Sequence, residues 1–196
     1  MERLKKTAKI LDTLAKILFI FCISMLIVLA AGAIFLSLMP ENFATSIFPT
    51  LLIHGIRLNM NQPSLTFTRA EFIVLFISAA VTAAIQLIIL AAGAKKVRKI
   101  LAPMRLGIPF NPGISNMLIR FGHFVLIASV IGGFLQGITS NITVYLLLKS
   151  LSEIGTPNNS YFLFDADGII IAVIIYLVGF IFRYGEELQK QADETL

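Results

Sequence analysis

Six polar side chains recur at helical spacing in two uncharged stretches of the sequence. They are Ser78, Thr82, Gln86, Ser129, Gln136 and Ser140. Projected at about 100° per residue, the members of each stretch fall on one side of a helix. Polar groups at membrane depth need partners inside the protein, so the two sides are predicted to face each other. These residues form our candidate interhelical site.

Two interpretations fit this polar stripe. Gly133 and Gly137 have the spacing that lets helices approach closely, and Gln86 and Gln136 would then form hydrogen bonds within a packed interface. We favour this packing interpretation. The alternative is a pocket for a small molecule, an ion or a peptide. The uncharged stretches contain no Asp, Glu, Lys or Arg, which weakens the case for a proton-coupled carrier.

Other reactive residue types are isolated. His123 stands at the edge of an uncharged stretch, His54 has no second ligand nearby, and Cys22 is the single cysteine. Asp165 and Asp167 resemble part of a calcium loop but lack its other ligands, and helix capping explains them. The sequence contains no nucleophile elbow, phosphate loop or HExxH motif. We therefore predict no enzyme activity, no catalytic residue, no metal and no cofactor.

Four uncharged stretches supply the elements that hold these residues. The chain has 196 residues, of which 57% are hydrophobic and 14% charged, and its mean hydropathy is +0.88. Residues 17–39, 72–94 and 121–148 each reach the roughly 20 residues of a spanning helix, whereas residues 168–182 need an extra turn or a smaller tilt. The sequence predicts an all-α membrane protein, a bundle of four transmembrane helices forming one domain over residues 1–196.

Lysine and arginine are distributed unevenly between the connecting segments. Residues 1–16 carry five, residues 95–120 carry six and residues 183–196 carry two, against two in 40–71 and one in 149–167. Cations concentrate in the cytoplasmic segments of membrane proteins. Both termini and the basic loop 95–120 are therefore predicted to be cytoplasmic, with 40–71 and 149–167 as outer loops.

The basic loop begins with five cations and no acidic residue. They are Lys95, Lys96, Arg98, Lys99 and Arg105. Near a membrane surface each such cation contributes about 1 kcal/mol of attraction to anionic headgroups. We expect these residues to contact the lipid bilayer or a protein partner. Direct binding of nucleic acid is not expected, because no aromatic residues interleave with the cations.

The rest of this loop carries signals for the end and the start of helices. Residues 97–106 mix aliphatic and basic side chains and are predicted to lie in the membrane interface. Gly107 and Pro109 break any helix, and Asn111 before Pro112 is a predicted N-cap for the third span.

The first outer loop has an alternating pattern. Apolar and polar residues alternate over residues 56–60 and again over 65–67, on either side of the turn-like segment 61–64. A small extracytoplasmic β-hairpin is predicted there.

Two stretches carry a family resemblance: RKILAPMRLGIPFNPGISNMLIRFG, residues 98–122, and IFRYGEELQKQADETL, residues 181–196. Together with four spans of this spacing, they resemble the bacterial membrane proteins catalogued as domain-of-unknown-function family 2975 over nearly the whole chain. The most specific positions are Gly107, Pro109, Phe110, Phe182, Gly185, Leu188, Asp193 and Thr195. The resemblance implies a four-helix bundle in the bacterial cytoplasmic membrane, no assigned activity, and a pairing with a small helix-turn-helix regulator.

The C-terminal tail is net acidic beside basic segments. Its acidic residues are Glu186, Glu187, Asp193 and Glu194. Two interpretations stay open. The tail is either a solvated helix end, or a surface that folds back on residues 95–105 and docks a basic partner.

Three classes of function remain. We favour a non-enzymatic membrane sensor or regulator that holds a cytoplasmic helix-turn-helix partner through the basic loop and the acidic tail. The alternative is a binding or transport protein for a small molecule, ion or peptide, with a polar pocket between spans two and three. Immunity to a membrane-active peptide is a third class, and a homo-oligomer stays open for each.

Overall fold

The computed structural model describes residues 2–38, 50–53, 56–59, 69–106, 113–150 and 166–194. In chain order its elements are α1 (Glu2–Ser37), β1 (Thr50–Ile53), β2 (Ile56–Asn59), α2 (Arg69–Leu106), α3 (Ile114–Ser150) and α4 (Ala166–Glu194). All four helices are long and apolar enough to cross a membrane, as their uncharged stretches predict.

Every helix continues beyond the uncharged stretch that predicts it. α1 begins at Glu2 and so includes the basic segment before residue 17. α2 continues to Leu106, and α4 continues to Glu194. The interface segment predicted for residues 97–106 is therefore not a separate element, because it continues α2 with Pro103 inside the helix. This continuation places charged residues on the faces of long helices, where they can pair with charges on a neighbouring helix.

Large apolar faces of the helices are exposed. Ile27 of α1 is 65% exposed and Ile174 of α4 is 53% exposed. In α3 the exposed residues include Ile127, Ile131 and Phe134, on the side predicted to lie opposite the polar stripe. Soluble monomers rarely expose contiguous apolar surface on this scale, whereas lipid tails cover it. These faces are the surfaces that a bilayer would contact.

Two short strands lie between α1 and α2. β1 and β2 form an antiparallel pair in which Thr50 lies opposite Asn59. Two residues separate β1 from β2, and β2 ends at Asn59. The observed pair therefore lies before the segment 61–64, where the sequence predicts the turn. That segment and residues 65–67 lie outside the described residues. The side of the membrane on which the strands lie stays a prediction.

The chain divides into two compact units. The first contains Met1–Ser24, Leu87–Gly132 and Asp165–Leu196, and the second contains Met25–Gln86 and Gly133–Phe164. The first unit therefore includes the start of α1, the end of α2, the start of α3 and all of α4. The second unit includes the two strands and the remaining parts of α1, α2 and α3.

In the first unit α3 and α4 pack closely at two glycines. A Cβ atom built on Gly179 would lie 3.0 Å from Cγ1 of Ile119 and 3.4 Å from its backbone nitrogen. A Cβ atom on Gly122 would lie 3.1 Å from Cε1 of Tyr176. Both distances are shorter than ordinary van der Waals contacts, so the two helices approach where glycine leaves room.

In the same unit α2 meets α3 around Phe124. A Cβ atom on Gly93 would lie 3.4 Å from Cε1 of Phe124. The ammonium nitrogen of Lys96 lies 5.1 Å from the centroid of the same ring, a cation–π distance. Lys96, which was predicted to contact the membrane surface, therefore has a partner within the protein.

Several predicted features lie outside the described residues: His54, Gly107, Pro109, Phe110, Asn111, Pro112, Asp165, Thr195 and most of the second outer loop. Asp193 belongs to α4, but its side chain is not among those described.

Candidate functional site

The polar stripe of α2 meets α3 at a hydrogen bond in the second unit. The hydroxyl oxygens of Thr82 and Thr139 are 2.6 Å apart, and both residues are buried. The Thr139 hydroxyl also donates to the Leu135 carbonyl oxygen at 3.0 Å. Because a hydroxyl has one proton, Thr82 must donate to Thr139. This oriented pair connects the two helices at a buried position.

Other hydroxyls of the two helices bond to their own backbone. Ser78 donates to the carbonyl three residues earlier at 2.9 Å. Ser129 and Thr143 donate to the carbonyls four residues earlier, at 3.0 Å and 2.8 Å. Such bonds satisfy a hydroxyl without a second helix or a ligand. These contacts favour the packing interpretation of the polar stripe.

The structure does not bring all six candidate residues together. Gln86 is exposed, and Gln136 and Ser140 are partly exposed. Ser129 belongs to the first unit, whereas the other five belong to the second. Gly133 and Gly137, the predicted packing glycines, are both buried.

The prediction that Gln86 lies in the interior is wrong. The buried residues of α2 include Leu75 and Thr82 before it, and Ala91 and Ala94 after it. At about 100° per residue these two pairs lie on different sides of the helix, and Ile100, also buried, lies on the side of Thr82 again. The buried positions of α2 therefore do not keep to one fixed face, and Gln86 lies between the two pairs. A projection with one fixed face cannot detect such a pattern.

Thr139 is a buried interhelical contact that the sequence analysis missed. It projects about 60° from Gln136, the nearest residue of the polar stripe on α3, and about 40° from Thr143. A wider stripe that included both threonines would have found it.

A second polar contact joins α1 to α2 in the first unit. Asp12 accepts from Arg98 Nε at 3.0 Å through Oδ1 and from Arg105 Nη1 at 2.6 Å through Oδ2. The Asp12 side chain is 13% exposed, while those of Arg98 and Arg105 are 38% and 44% exposed. The arginines are seven residues apart, two turns along one face of α2. One carboxylate thus holds two guanidinium groups in a cluster with net positive charge.

Asp12 was also missed, although the sequence contains a signal for it. It shares one face of α1 with the buried residues Ala8, Ala15 and Cys22. A single carboxylate on a face of small residues is expected to be buried with a partner, since unpaired carboxylates are almost never buried.

This cluster corrects the predicted partner of the basic loop. Arg98 and Arg105 were expected at the membrane surface or against the acidic tail. Their carboxylate partner is Asp12, because the helical continuation of α2 brings both arginines alongside the start of α1.

Glu186 follows the uncharged stretch of α4, which ends at Phe182. Its side chain contacts the start of α3. It accepts from the Ser115 N–H at 3.0 Å and from the Ser115 hydroxyl at 2.8 Å. Burial raises the pKa of Glu186, but the donors of Ser115 and the N–H groups of Gly113 and Ile114 together hold that pKa below its ordinary value of 4.5. Glu186, predicted to contact a membrane or partner, is therefore an internal link between α4 and α3.

The turn before α3 exposes these donors. Gly113 has a φ of 98°, which favours glycine, and its carbonyl accepts from the Met117 N–H at 3.1 Å. The first N–H groups of a helix lack partners within the helix and carry partial positive charge. A carboxylate from another helix is suited to this position.

Four other charged residues of α4 pair within the helix. Arg183 lies 3.9 Å from Glu187, and Lys190 lies 3.8 Å from Glu194, each at four-residue spacing. All four side chains are more than half exposed. Such pairs contribute only a few tenths of a kcal/mol, about 0.3–0.5 each.

His123 packs between α3 and α4. Its ring centroid lies 5.1 Å from that of Tyr176 in an edge-to-face arrangement. Its Nδ1 lies 2.9 Å from the Ile119 carbonyl oxygen, so Nδ1 carries the proton of that hydrogen bond. Within the described part of the chain, no group of three or more His, Cys, Asp or Glu side chains is placed to hold a metal ion.

Four apolar helices of spanning length define the class: this is a multi-pass membrane protein. Comparisons with protein-family models, with curated proteins and with solved structures found no match. The resemblance to domain-of-unknown-function family 2975 stays a prediction from residues 98–122 and 181–196.

Proposed function

We propose that this chain is a non-enzymatic membrane sensor or regulator that holds a protein partner on the end of α4. The partner is a small cytoplasmic DNA-binding protein of the helix-turn-helix class, which the family resemblance implies. In this proposal the chain lies in a bacterial cytoplasmic membrane with both termini in the cytoplasm, following the distribution of cations.

An exposed apolar stripe near the end of α4 carries the proposal. Tyr184 is 65% exposed and Leu188, one turn further, is 48% exposed on the same face. Ile181, 68% exposed, extends the stripe toward the uncharged stretch. The Arg183–Glu187 ion pair lies beside it. An amphipathic helix of this kind stabilises a complex by laying its apolar face against a partner.

The acidic residues divide into two roles. Glu186 is engaged with Ser115. Glu187 and Glu194 are 65% and 66% exposed and lie at the edge of the apolar stripe. Acidic groups at the rim of an interface favour a basic partner and increase the rate of association.

A pocket for a transported or bound ligand has less support. The hydroxyls of Ser78, Ser129 and Thr139 bond to backbone carbonyls of their own helices, and Thr82 donates to Thr139. Immunity to a membrane-active peptide stays an untested alternative.

Co-purification from native membranes tests the proposal. Tagged full-length chain extracted in mild detergent is expected to retain a small DNA-binding protein identifiable by mass spectrometry. Replacing Leu188 by Ser should reduce its recovery at least about tenfold, because truncating an anchor of an interface typically costs 2 kcal/mol or more. Tyr184→Ser should have a similar effect.

Gln189→Ser is the matched control, since Gln189 is exposed on a different face of the same turn. It should leave the recovery unchanged. Equal recovery with Leu188→Ser and Gln189→Ser, with both proteins inserted and folded, would contradict the proposal. So would the absence of any DNA-binding protein in the extract.

A further inference from the structure

A group of lysines beside the Asp12 cluster forms a surface that the proposed function does not use. Lys16 of α1 and Lys95 and Lys99 of α2 are all exposed. At about 100° per residue, Lys16 is turned about 40° from Asp12, and Lys95 and Lys99 are turned about 60° and 100° from Arg98. Each of these angles is measured in the sense in which its helix turns from its N-terminus toward its C-terminus.

The ion pairs establish that these lysines lie on the same side of the α1–α2 contact. The start of α1 contacts the end of α2, and both helices have spanning length, so they run antiparallel. For a viewer at the end that carries Asp12, α1 runs away and α2 runs toward the viewer. Both helices are right-handed, so α1 turns clockwise and α2 turns anticlockwise in this view. Because Asp12 and Arg98 face each other, these opposite rotations carry Lys16, Lys95 and Lys99 to one common side.

The three lysines lie within about 8 Å of one another along the helix axes. With a rise of 1.5 Å per residue, Lys16 lies about 6 Å from the level of Asp12 toward the uncharged stretch of α1. Lys95 lies about 4.5 Å from the level of Arg98 in the same direction, and Lys99 lies within about 2 Å of that level. The three side chains therefore occupy the edge of the apolar region.

Exposed apolar residues continue below the lysines. Ile20 and Ile23 are 56% and 42% exposed and follow Lys16 along its stripe of α1. Ile88 is 56% exposed and follows Lys95 along α2. A free phosphate would contact only the lysines. A phospholipid can place its phosphate on the lysines and its acyl chains along the isoleucines.

We propose that Lys16, Lys95 and Lys99 bind the headgroup of an anionic phospholipid. Asp12 has a positioning role, because its two ion pairs hold α2 against α1 and keep Arg98 and Arg105 in the contact between the helices. Two guanidinium groups around one carboxylate leave net positive charge, which adds to the attraction for an anion.

This site refines the general expectation that the basic loop contacts lipid. Lys96 is not part of it, because its ammonium group lies over Phe124 of α3. Lys16, outside the basic loop, is part of it. The proposal is independent of the partner proposed for α4, which uses another helix.

Lipid titration of the purified full-length chain tests this site. In nonionic detergent, phosphatidylglycerol is added and retained lipid is counted by native mass spectrometry, with phosphatidylcholine as the neutral reference. The Lys16→Gln/Lys95→Gln/Lys99→Gln variant should lower the apparent affinity for the first phosphatidylglycerol at least about tenfold, since each cation near a headgroup contributes to binding. Retention of phosphatidylcholine should not change.

The control removes equal charge from other surfaces. The variant Arg3→Gln/Arg183→Gln/Lys190→Gln changes three exposed cations. Arg3 is turned about 180° from Asp12 on α1, and the other two belong to α4. Its affinity should change less than about twofold. The variant Lys16→Arg/Lys95→Arg/Lys99→Arg keeps the charge and should keep binding. Thermal unfolding of each variant checks that it is folded.

Four results would overturn the proposal. An equal loss in both glutamine variants would mean diffuse surface charge, and no loss in either would mean no site. Displacement of the lipid by inorganic phosphate at similar concentration would mean that the site takes a free anion. Displacement by a single-stranded oligonucleotide that depends on the same lysines would mean a nucleic-acid surface. If the triple variant does not fold, Lys99→Glu must weaken binding more than Arg3→Glu does, or the site is wrong.

Discussion

At the scale of single residues, Asp12 and Glu186 have their charges satisfied in different ways. Asp12 is balanced by the two cations Arg98 and Arg105. Glu186 is balanced by Ser115 and neighbouring N–H groups at the start of α3, where the helix dipole favours an anion. Each carboxylate therefore connects two helices, and removing either one leaves donors without their charged acceptor.

Glu186→Gln is expected to lower stability by about 1 kcal/mol, since the neutral amide accepts weaker hydrogen bonds from Ser115. The effect depends on pH in a defined direction. Because the folded-state pKa is held below 4.5, the contribution of the carboxylate is full at neutral pH and is lost as the pH falls through that folded-state pKa. Thermal unfolding in detergent from pH 7 to about pH 3 should show the difference between the two proteins narrowing only below about pH 4.5. Glu187→Gln, 65% exposed, is the control and should have little effect.

Asp12→Asn is expected to lower the free energy of unfolding by about 1–2 kcal/mol. The carboxylate is mostly buried, but solvent reaches both arginines, so the cost should lie below that of breaking a fully buried pair. Thermal unfolding in detergent measures it. Glu194→Gln breaks an exposed pair with Lys190 and should change stability by less than about 0.5 kcal/mol. Equal effects of the two substitutions would show that the Asp12 cluster is not a structural link.

At the scale of helices, close approach of α3 and α4 depends on glycine. A Cβ atom on Gly179 would crowd Cγ1 of Ile119 at 3.0 Å, and the backbone nitrogen of Ile119 at 3.4 Å leaves that Cβ atom little room to shift. Gly122 faces the ring of Tyr176, which can rotate to make room. The two glycines are therefore not equivalent, and Gly179 is the stricter position.

Gly179→Ala is expected to lower the free energy of unfolding by about 1 kcal/mol. The added methyl group crowds Ile119, and the better helix propensity of alanine offsets only part of that loss. Gly132→Ala is the matched control within α3. A Cβ atom there meets no atom within 4 Å, so alanine should stabilise the helix by up to about 1 kcal/mol. The prediction is a difference in sign between the two variants, measured by thermal unfolding in detergent. A stabilising Gly179→Ala would contradict it.

At the scale of the whole molecule, the distribution of charge predicts the side of the membrane on which each segment lies. The basic residues at the start of α1 and the end of α2 meet in one unit through Asp12, and the end of α4 belongs to the same unit. The side of the membrane stays a prediction from the excess of lysine and arginine.

A reporter fused after Leu196 tests the orientation. A fluorescent protein that matures only in the cytoplasm should be bright there, and alkaline phosphatase, which needs the oxidising exterior, should be inactive. The same reporters inserted within residues 40–71 should give the opposite pattern. An active phosphatase after Leu196 would contradict the orientation and the cytoplasmic partner together.

The sequence alone predicted four helices long and apolar enough to cross a membrane, and the described part of the chain contains them. The prediction depends only on the length of the uncharged stretches, of which 168–182 needs an extra turn. The sequence also indicated that α3 has a polar and an apolar side, since that division depends only on helical period. It could not give the exposure of Gln86, because the buried positions of α2 do not keep to one fixed face along the helix. Nor could it pair Asp12 with Arg98 or Glu186 with Ser115, residues more than seventy positions apart. Such pairs form only when helix packing brings their side chains together, and the tertiary structure decides that packing.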